Sequence, residues 1–224
     1  TQCPAGQYAD GMGEASCTQC PANSNTAAGS TGALDITACQ CDLGFSGTII
    51  KAGDKCSSCL VGQYSDTVAS KTCTACPTNS NTASVESTSA ADCLCVNGYT
   101  GTIAASSDSC KACAVGTWKG TDGPADCTKC TDQSSTNGCA NGDGTACTAV
   151  SDCQCAAGYT GVMPAPCAAC AIGQYKVEVG PQDCDFCPTD STNPTAGSIT
   201  ASDCVCKLGY SGVVSKGSDT CTAC

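Results

Sequence analysis

The chain contains no histidine and no arginine, its aromatic content is 4%, and Ile, Leu, Val and Phe together number only 25 of 224 residues. Without His there is no base for a nucleophilic triad, and the 20 carboxylates are scattered singly through turn-like sequence, so an enzyme is excluded. Arg is the side chain suited to bidentate phosphate recognition, and a chain of net charge -11 repels polyanions, which excludes nucleic acid as a partner. No apolar run approaches the roughly 20 residues of a membrane helix. Thr1-Gln2-Cys3 opens the chain without a charged and then apolar leader, so it reads as a mature or partial segment whose signal or anchor lies elsewhere. So few large hydrophobes at this charge would ordinarily mean disorder.

Cysteine reverses that expectation. There are 27, with 25 glycines, and covalent crosslinks can replace the buried area that one compact core of this length would need. Such cysteine usage places the chain outside the cell or on its surface.

The cysteines form a repeat. A pattern begins at Cys3, Cys59, Cys113 and Cys170, with periods of 56, 54 and 57 residues, and Cys224 opens it again. The expected units are 3–58, 59–112, 113–169 and 170–223, with Cys224 starting a fifth. Each has six cysteines in one order: a single, a CxxC, a CxC and a last single. These are Cys3, Cys17, Cys20, Cys39, Cys41 and Cys56 in the first repeat, and Cys59, Cys73, Cys76, Cys93, Cys95 and Cys110 in the second. The third uses Cys113, Cys127, Cys130, Cys153, Cys155 and Cys167, and the fourth Cys170, Cys184, Cys187, Cys204, Cys206 and Cys221. The third also inserts Cys139 and Cys147 in a Gly/Asn-rich loop, which suggests a private disulfide. Cys224 is left over, for a following repeat or an inter-chain bond.

Other positions repeat with the cysteines. Gly6/Tyr8, Gly62/Tyr64, Gly116/Trp118 and Gly173/Tyr175 follow the first cysteine, and Gly44-Phe45-Ser46-Gly47, Gly98-Tyr99-Thr100-Gly101, Gly158-Tyr159-Thr160-Gly161 and Gly209-Tyr210-Ser211-Gly212 follow the CxC. Glycine at fixed turn positions supplies backbone dihedrals that other residues avoid. The aromatics read as the packing residues of each unit. Asp92, Asp152 and Asp203 before the CxC read as turn caps rather than calcium ligands, and the CxxC pairs as scaffold rather than zinc or redox sites. No cofactor is expected. Ser and Thr between cysteines favour turns over helix, and the stretch from Thr82 to Asp92 reads as loop.

The run CxCxxG(F/Y)(S/T)G resembles the second half of an epidermal-growth-factor-like module. CxxCPxxSxT, as in Cys17 to Thr26, is similar to the cysteine-rich stalk of ephrin receptors, although Thr131 stands where the other repeats have Pro21, Pro77 and Pro188. Tandem copies rich in Ala, Ser and Thr resemble the surface immobilisation antigens of ciliates. The growth-factor resemblance implies sequential pairing, Cys3 with Cys17, Cys20 with Cys39 and Cys41 with Cys56. A tumour-necrosis-receptor-like crossing, third with fifth and fourth with sixth, stays open beside it. The growth-factor resemblance also implies an O-linked N-acetylglucosamine at Ser46, Thr100, Thr160 and Ser211, and Ser24, Thr26, Ser80 and Thr82 are secondary candidates for mucin-like decoration.

The fold expected is therefore small disulfide-rich repeats, four tandem EGF-like modules with short β-hairpins and little helix, arranged as an elongated rod because two-residue linkers leave little hinge freedom. The function expected is a non-catalytic structural element of a surface coat, stalk or fibre, O-glycosylated and associating with neighbouring copies. The alternative is a receptor or adhesin ectodomain that binds a protein ligand through one specialised repeat. The third repeat is the candidate, with Trp118 and its extra cysteines.

Overall fold

Closely spaced cysteines separated by Ser, Thr, Asn and Gly leave no stretch able to sustain a helix, and the backbone instead folds into two- and three-residue strands joined by turns. The computed structural model describes residues 2–11, 16–135 and 147–224. These fall into two compact units, one of residues 1–96, 101–111 and 122–125 and one of residues 97–100, 112–121 and 126–224. Among the described residues the helices are four single 3-10 turns, Ile36–Ala38, Ala90–Asp92, Val150–Asp152 and Ala201–Asp203. The second corrects the loop expected there.

Each repeat is built on antiparallel hairpins. In the first, Gln7–Tyr8 pairs with Thr18–Gln19, Ser24–Thr26 with Cys39–Cys41, and Phe45–Ser46 with Ser57–Ser58. The fourth repeats this with Gln174–Tyr175 against Asp185–Phe186, Ser191–Thr192 against Val205–Cys206, and Tyr210–Ser211 against Thr222–Ala223. Two strands of two residues cannot be stable alone in water. Disulfides hold them: Cys3–Cys17, Cys20–Cys39 and Cys41–Cys56, then Cys59–Cys73, Cys76–Cys93 and Cys95–Cys110. The third and fourth repeats carry Cys113–Cys127, Cys130–Cys153 and Cys155–Cys167, then Cys170–Cys184, Cys187–Cys204 and Cys206–Cys221. The order is sequential throughout, not crossed. Cys147 is also disulfide-bonded, while Cys139, its expected partner, lies outside the described residues, as does most of the inserted loop. Cys224 is a free, exposed thiol.

The cores are small and centred on sulfur. Tyr8, Cys39, Cys41, Ile49 and Cys56 form one, and Tyr175, Ala201, Cys204 and Val214 another. Tyr8, Tyr64 and Tyr175 are buried and Trp118 is half-buried, so the aromatic after the first cysteine is the anchor of its repeat. The sequence reading missed a second apolar position, two residues beyond the Gly-aromatic-Ser/Thr-Gly turn, where Ile49, Ile103, Met163 and Val214 are all buried.

Carboxylates close the turns. Asp92 accepts the Thr88 and Ser89 amides at 2.8 and 3.0 Å, Asp152 those of Thr148 and Ala149 at 2.8 and 3.0 Å, and Asp203 those of Ile199 and Thr200 at 3.1 and 3.2 Å. The bonds satisfy donors that a helical turn leaves open at its start. A second set caps the loop before the last cysteine in the first, second and fourth repeats: Asp54 accepts Ile50 and Lys51 amides, Asp108 those of Ala104 and Ala105, and Asp219 those of Ser215 and Lys216.

Candidate functional site

The recurring chemistry of the chain lies where one repeat meets the next. The two residues between repeats are strands, not connectors: Ser57–Ser58 lies against Phe45–Ser46, and Ala168–Ala169 against Tyr159–Thr160. Each Gly-aromatic-Ser/Thr-Gly turn therefore folds back over the start of the following repeat. In the first unit Gly44 N–H donates to Ser65 O at 2.9 Å, Cys59 N–H to Gly44 O at 2.9 Å, Gly47 N–H to Ser70 O at 2.9 Å, and Ala69 N–H to Cys41 O at 2.9 Å. In the second, Gly158 N–H donates to Lys176 O at 2.9 Å, Cys170 N–H to Gly158 O at 2.8 Å and Gly180 N–H to Cys155 O at 2.9 Å. Glycine is required at Gly44, whose φ is +78° and where a Cβ would lie 2.5 Å from the Glu86 carbonyl oxygen.

The residue six positions after the first cysteine is buried in every repeat, as Ala9, Ser65, Lys119 and Lys176, and in the second to fourth repeats it lies at a junction. Lys176 is 3% exposed, and its Nζ donates to Tyr159 O at 2.6 Å and also to Gly180 O. Lys119 Nζ makes the same bond to Tyr99 O at 2.6 Å. A buried ammonium is tolerated only when its donors are taken up, and backbone carbonyls do this here. Burial holds the Lys176 pKa below its ordinary value, opposed by the Asp183 carboxylate. Neither lysine was singled out in the sequence, because a Lys in a polar chain reads as surface.

The four hydroxyls proposed to carry sugar sit on these same turns. Ser46 Oγ lies 3.3 Å from Cys73 Sγ, Thr100 Oγ1 lies 3.5 Å from Asp126 Oδ1, and Thr160 Oγ1 donates to Gln182 O at 3.1 Å. All three are half-buried and face the following repeat, whereas Ser211 is exposed. The secondary candidates make hydrogen bonds inside the repeats. Thr26 and Thr82 are buried and accept the Gly6 and Gly62 amides at 2.9 Å, and Ser24 and Ser80 donate to Pro21 O and Pro77 O at 2.6 Å.

Three equivalent clefts flank the turns. One of about 200 Å³ is lined by Gln40, Cys41, Gly47, Thr48 and Ala69, one of about 90 Å³ by Leu94, Gly101 and Pro124, and one of about 180 Å³ by Gln154, Gly161, Met163 and Pro181. Each is the size of one side chain, below the roughly 300–1,000 Å³ of small-molecule pockets. Among the described residues no group of three His, Cys, Asp or Glu side chains could hold a metal ion, and no helix is long and apolar enough to cross a membrane.

Sequentially stapled hairpins repeated in tandem, with short strands and only single helical turns, define a disulfide-rich, EGF-like array of extracellular or cell-surface modules. Its particular likeness is to ephrin receptors: residues 47–93 and 158–204 match the family model described as tyrosine-protein kinase ephrin type A/B receptor-like. Both matched segments start within a turn and run across the junction to the fourth cysteine of the next repeat, Cys93 and Cys204. The chain is 28% identical over 167 residues, 74% of its length, to "Sushi, von Willebrand factor type A, EGF and pentraxin domain-containing protein 1" of Rattus norvegicus and of Mus musculus. It is 41% identical over 86 residues, 37% of its length, to Ephrin type-B receptor 5 of Gallus gallus. The chain spans only 4% and 8% of the lengths of these relatives.

Proposed function

We propose that the chain is a non-catalytic structural element of a cell-surface coat, stalk or fibre, built of modules 3–58, 59–112, 113–169 and 170–223 and associating with neighbouring copies of itself. The observation that carries this reading is the junction. Linkers that are themselves strands, sealed by backbone bonds such as Gly44 N–Ser65 O and Gly158 N–Lys176 O, transmit load from one repeat to the next without a free hinge. The surface supports it too: there is no Arg, most aromatics are drawn into the repeats, and specific protein interfaces usually depend on such anchors. O-linked sugar on the turn hydroxyls belongs to this reading, with Ser211 as the accessible acceptor and Ser46, Thr100 and Thr160 needing their junction contacts to open.

A ligand-binding ectodomain is the second reading, favoured by the likeness to ephrin receptors and by Phe186, which is 76% exposed on its strand. Crosslinking on intact cells separates the two. The structural reading expects bonds between copies of this chain, and crosslinks confined to a different protein would overturn it. Peptide mass mapping of native material tests the sugar separately, with an added N-acetylhexosamine mass expected on the Ser211 peptide.

A further inference from the structure

The second, third and fourth repeats open on the same tight turn, and each turn holds an aliphatic side chain out in solvent. Gln63 N–H donates to Leu60 O at 3.0 Å, Thr117 N–H to Ala114 O at 2.9 Å and Gln174 N–H to Ala171 O at 3.0 Å, with Gly62, Gly116 and Gly173 at φ of +85°, +82° and +86°. This is a type II turn, which needs the glycine but not an aliphatic before it. The residue before it is Val61, Val115 or Ile172, which are 50%, 71% and 64% exposed. Single exposed aliphatics are ordinary on a protein surface, but these recur at one turn tip. The tips are fixed, since each glycine carbonyl accepts the amide of Cys76, Cys130 or Cys187 at 2.8, 2.9 and 2.8 Å. The side-chain-sized clefts beside the junctions recur with the same period. The buried Ile49, Ile103 and Met163 line one each, together with Ala69, Pro124 or Pro181 of the following repeat, and Lys71 in the first is the one ionisable side chain lining any of the three. The two compact units share these features unequally. The first holds two of the clefts, those of Ile49 and Ile103, one repeat apart; the second holds Val115 and Ile172, also one repeat apart.

We propose, resting on the reading of the chain as a coat or fibre element, that the clefts of Ile49 and Ile103 in one copy receive Val115 and Ile172 of a second copy. The occupant is another copy of this chain because knobs and clefts belong to one repeat and share its period. Seating one knob therefore brings the next over the next cleft, and the second contact forms at high effective concentration. Rigid turn tips lose little freedom on docking, which favours them over flexible side chains. The contact is head-to-tail, since it joins different patches of the two chains. The partner's own clefts stay free for a third copy, so the assembly extends copy by copy. The apolar contact works against the repulsion between chains of net charge -11, so association is expected to strengthen as salt screens that charge.

The test is sedimentation equilibrium of the oxidised chain over a range of salt, beside two variants. Val115→Asp with Ile172→Asp removes the knobs, and Thr48→Glu with Thr102→Glu obstructs the clefts of Ile49 and Ile103. All four residues are exposed, and unchanged amide exchange at Gly44 and Gly158 verifies the fold. If a variant fails to close its disulfides, Val115→Ser with Ile172→Ser and Thr48→Gln with Thr102→Gln make the same test. The expected result is association of the unaltered chain that tightens with salt and weakens at least about tenfold in either variant alone. An equimolar mixture of the two variants should recover a 1:1 pair, because each supplies the surface that the other lacks. Association of either variant equal to that of the unaltered chain, or a mixture that does not pair, would overturn the proposal and leave the coat reading standing. An unaltered chain that stays monomeric at millimolar concentration in high salt overturns it too, while crosslinks on intact cells decide the coat reading separately.

Discussion

Single side chains set the conditions under which each repeat holds together. Asp54, Asp108 and Asp219 each accept two backbone amides, and these bonds hold their carboxyl groups below the ordinary aspartate range; the Thr37 hydroxyl and amide do the same for Asp35. A carboxylate whose pKa is lower folded than unfolded stabilises the fold above its unfolded value of about 4, and loses that contribution as pH falls through the folded value. Stability is thus expected to decline on acidification below about pH 4 with disulfides intact, read as a lower urea midpoint at pH 2 than at pH 7. Carboxyl carbon titration should place these four aspartates below ordinary ones. The residue three after each second CxxC cysteine takes the left-handed conformation, at φ near +62°: Asn23, Asn79 and Asp190, but Gln133 in the third repeat. Asn and Asp tolerate that region and Gln does not, so Gln133→Asn should recover part of the roughly 1–2 kcal/mol that an L-residue spends there. The measure is a raised denaturation midpoint. Replacing Lys176 with Met keeps the apolar stem but leaves the Tyr159 and Gly180 carbonyls unpartnered; loss of charge-assisted bonds of this kind costs roughly 1.5–3 kcal/mol. Lys176 was not legible as special, since a lysine near the start of a repeat becomes internal only once the preceding repeat's turn folds over it.

At the scale of the hairpin, the linker strands decide whether neighbouring repeats act together. Strand register has a period of two, so one extra residue turns every following side chain to the other face. A single glycine inserted between Ser58 and Cys59 is therefore expected to break the Cys59 N–Gly44 O and Gly44 N–Ser65 O bonds while leaving Cys41–Cys56 and Cys59–Cys73 closed. Exchange should quicken at Gly44 and Gly47 and stay slow inside each hairpin; protection retained at both glycines would mean that the linker does not set the junction. The cysteine frame and its turns were readable in the sequence because disulfide reach is short and covalent, and because glycines mark positive φ directly. The pairing of Ser57–Ser58 was not, since serine has no strand preference and the partner strand, not the linker's own composition, dictates its conformation. The buried Ile49, Ile103, Met163 and Val214 were readable in principle, as an apolar residue at one fixed distance beyond every turn, but the conspicuous aromatics drew the packing assignment to themselves. The turn hydroxyls had two readings from sequence alone, and only the neighbouring repeat distinguishes Ser46, Thr100 and Thr160, which face it, from Ser211, which does not.

For the whole chain, stability is a matter of covalent topology, because Ile, Leu, Val and Phe at 25 of 224 residues cannot supply a core. Many of them lie on the surface of the repeats and not in their cores: Leu34, Leu60, Val115, Ile172 and Val205 are exposed. The described disulfides close loops of 12 to 23 residues, such as Cys155–Cys167 and Cys130–Cys153, and in the chain-entropy model a loop near 15 residues contributes about 3 kcal/mol by restricting the unfolded chain. Three such bonds per repeat offset the missing apolar burial, and they do so by lowering the entropy of the unfolded chain, a contribution to stability that grows with temperature. Two behaviours should follow together. Oxidised chain should keep slow amide exchange on heating well beyond the range in which ordinary domains of this size melt, near 45–65 °C. Full reduction and alkylation at room temperature should abolish that protection in every repeat at once, with Tyr8, Tyr64 and Tyr175 becoming solvent-exposed in ultraviolet difference spectra. Retained protection after complete alkylation would mean that the small cores around Tyr8 and Tyr175 suffice alone. Recovery of the fold when zinc is added to reduced, unalkylated chain would instead reassign the cysteines from covalent staples to metal ligands.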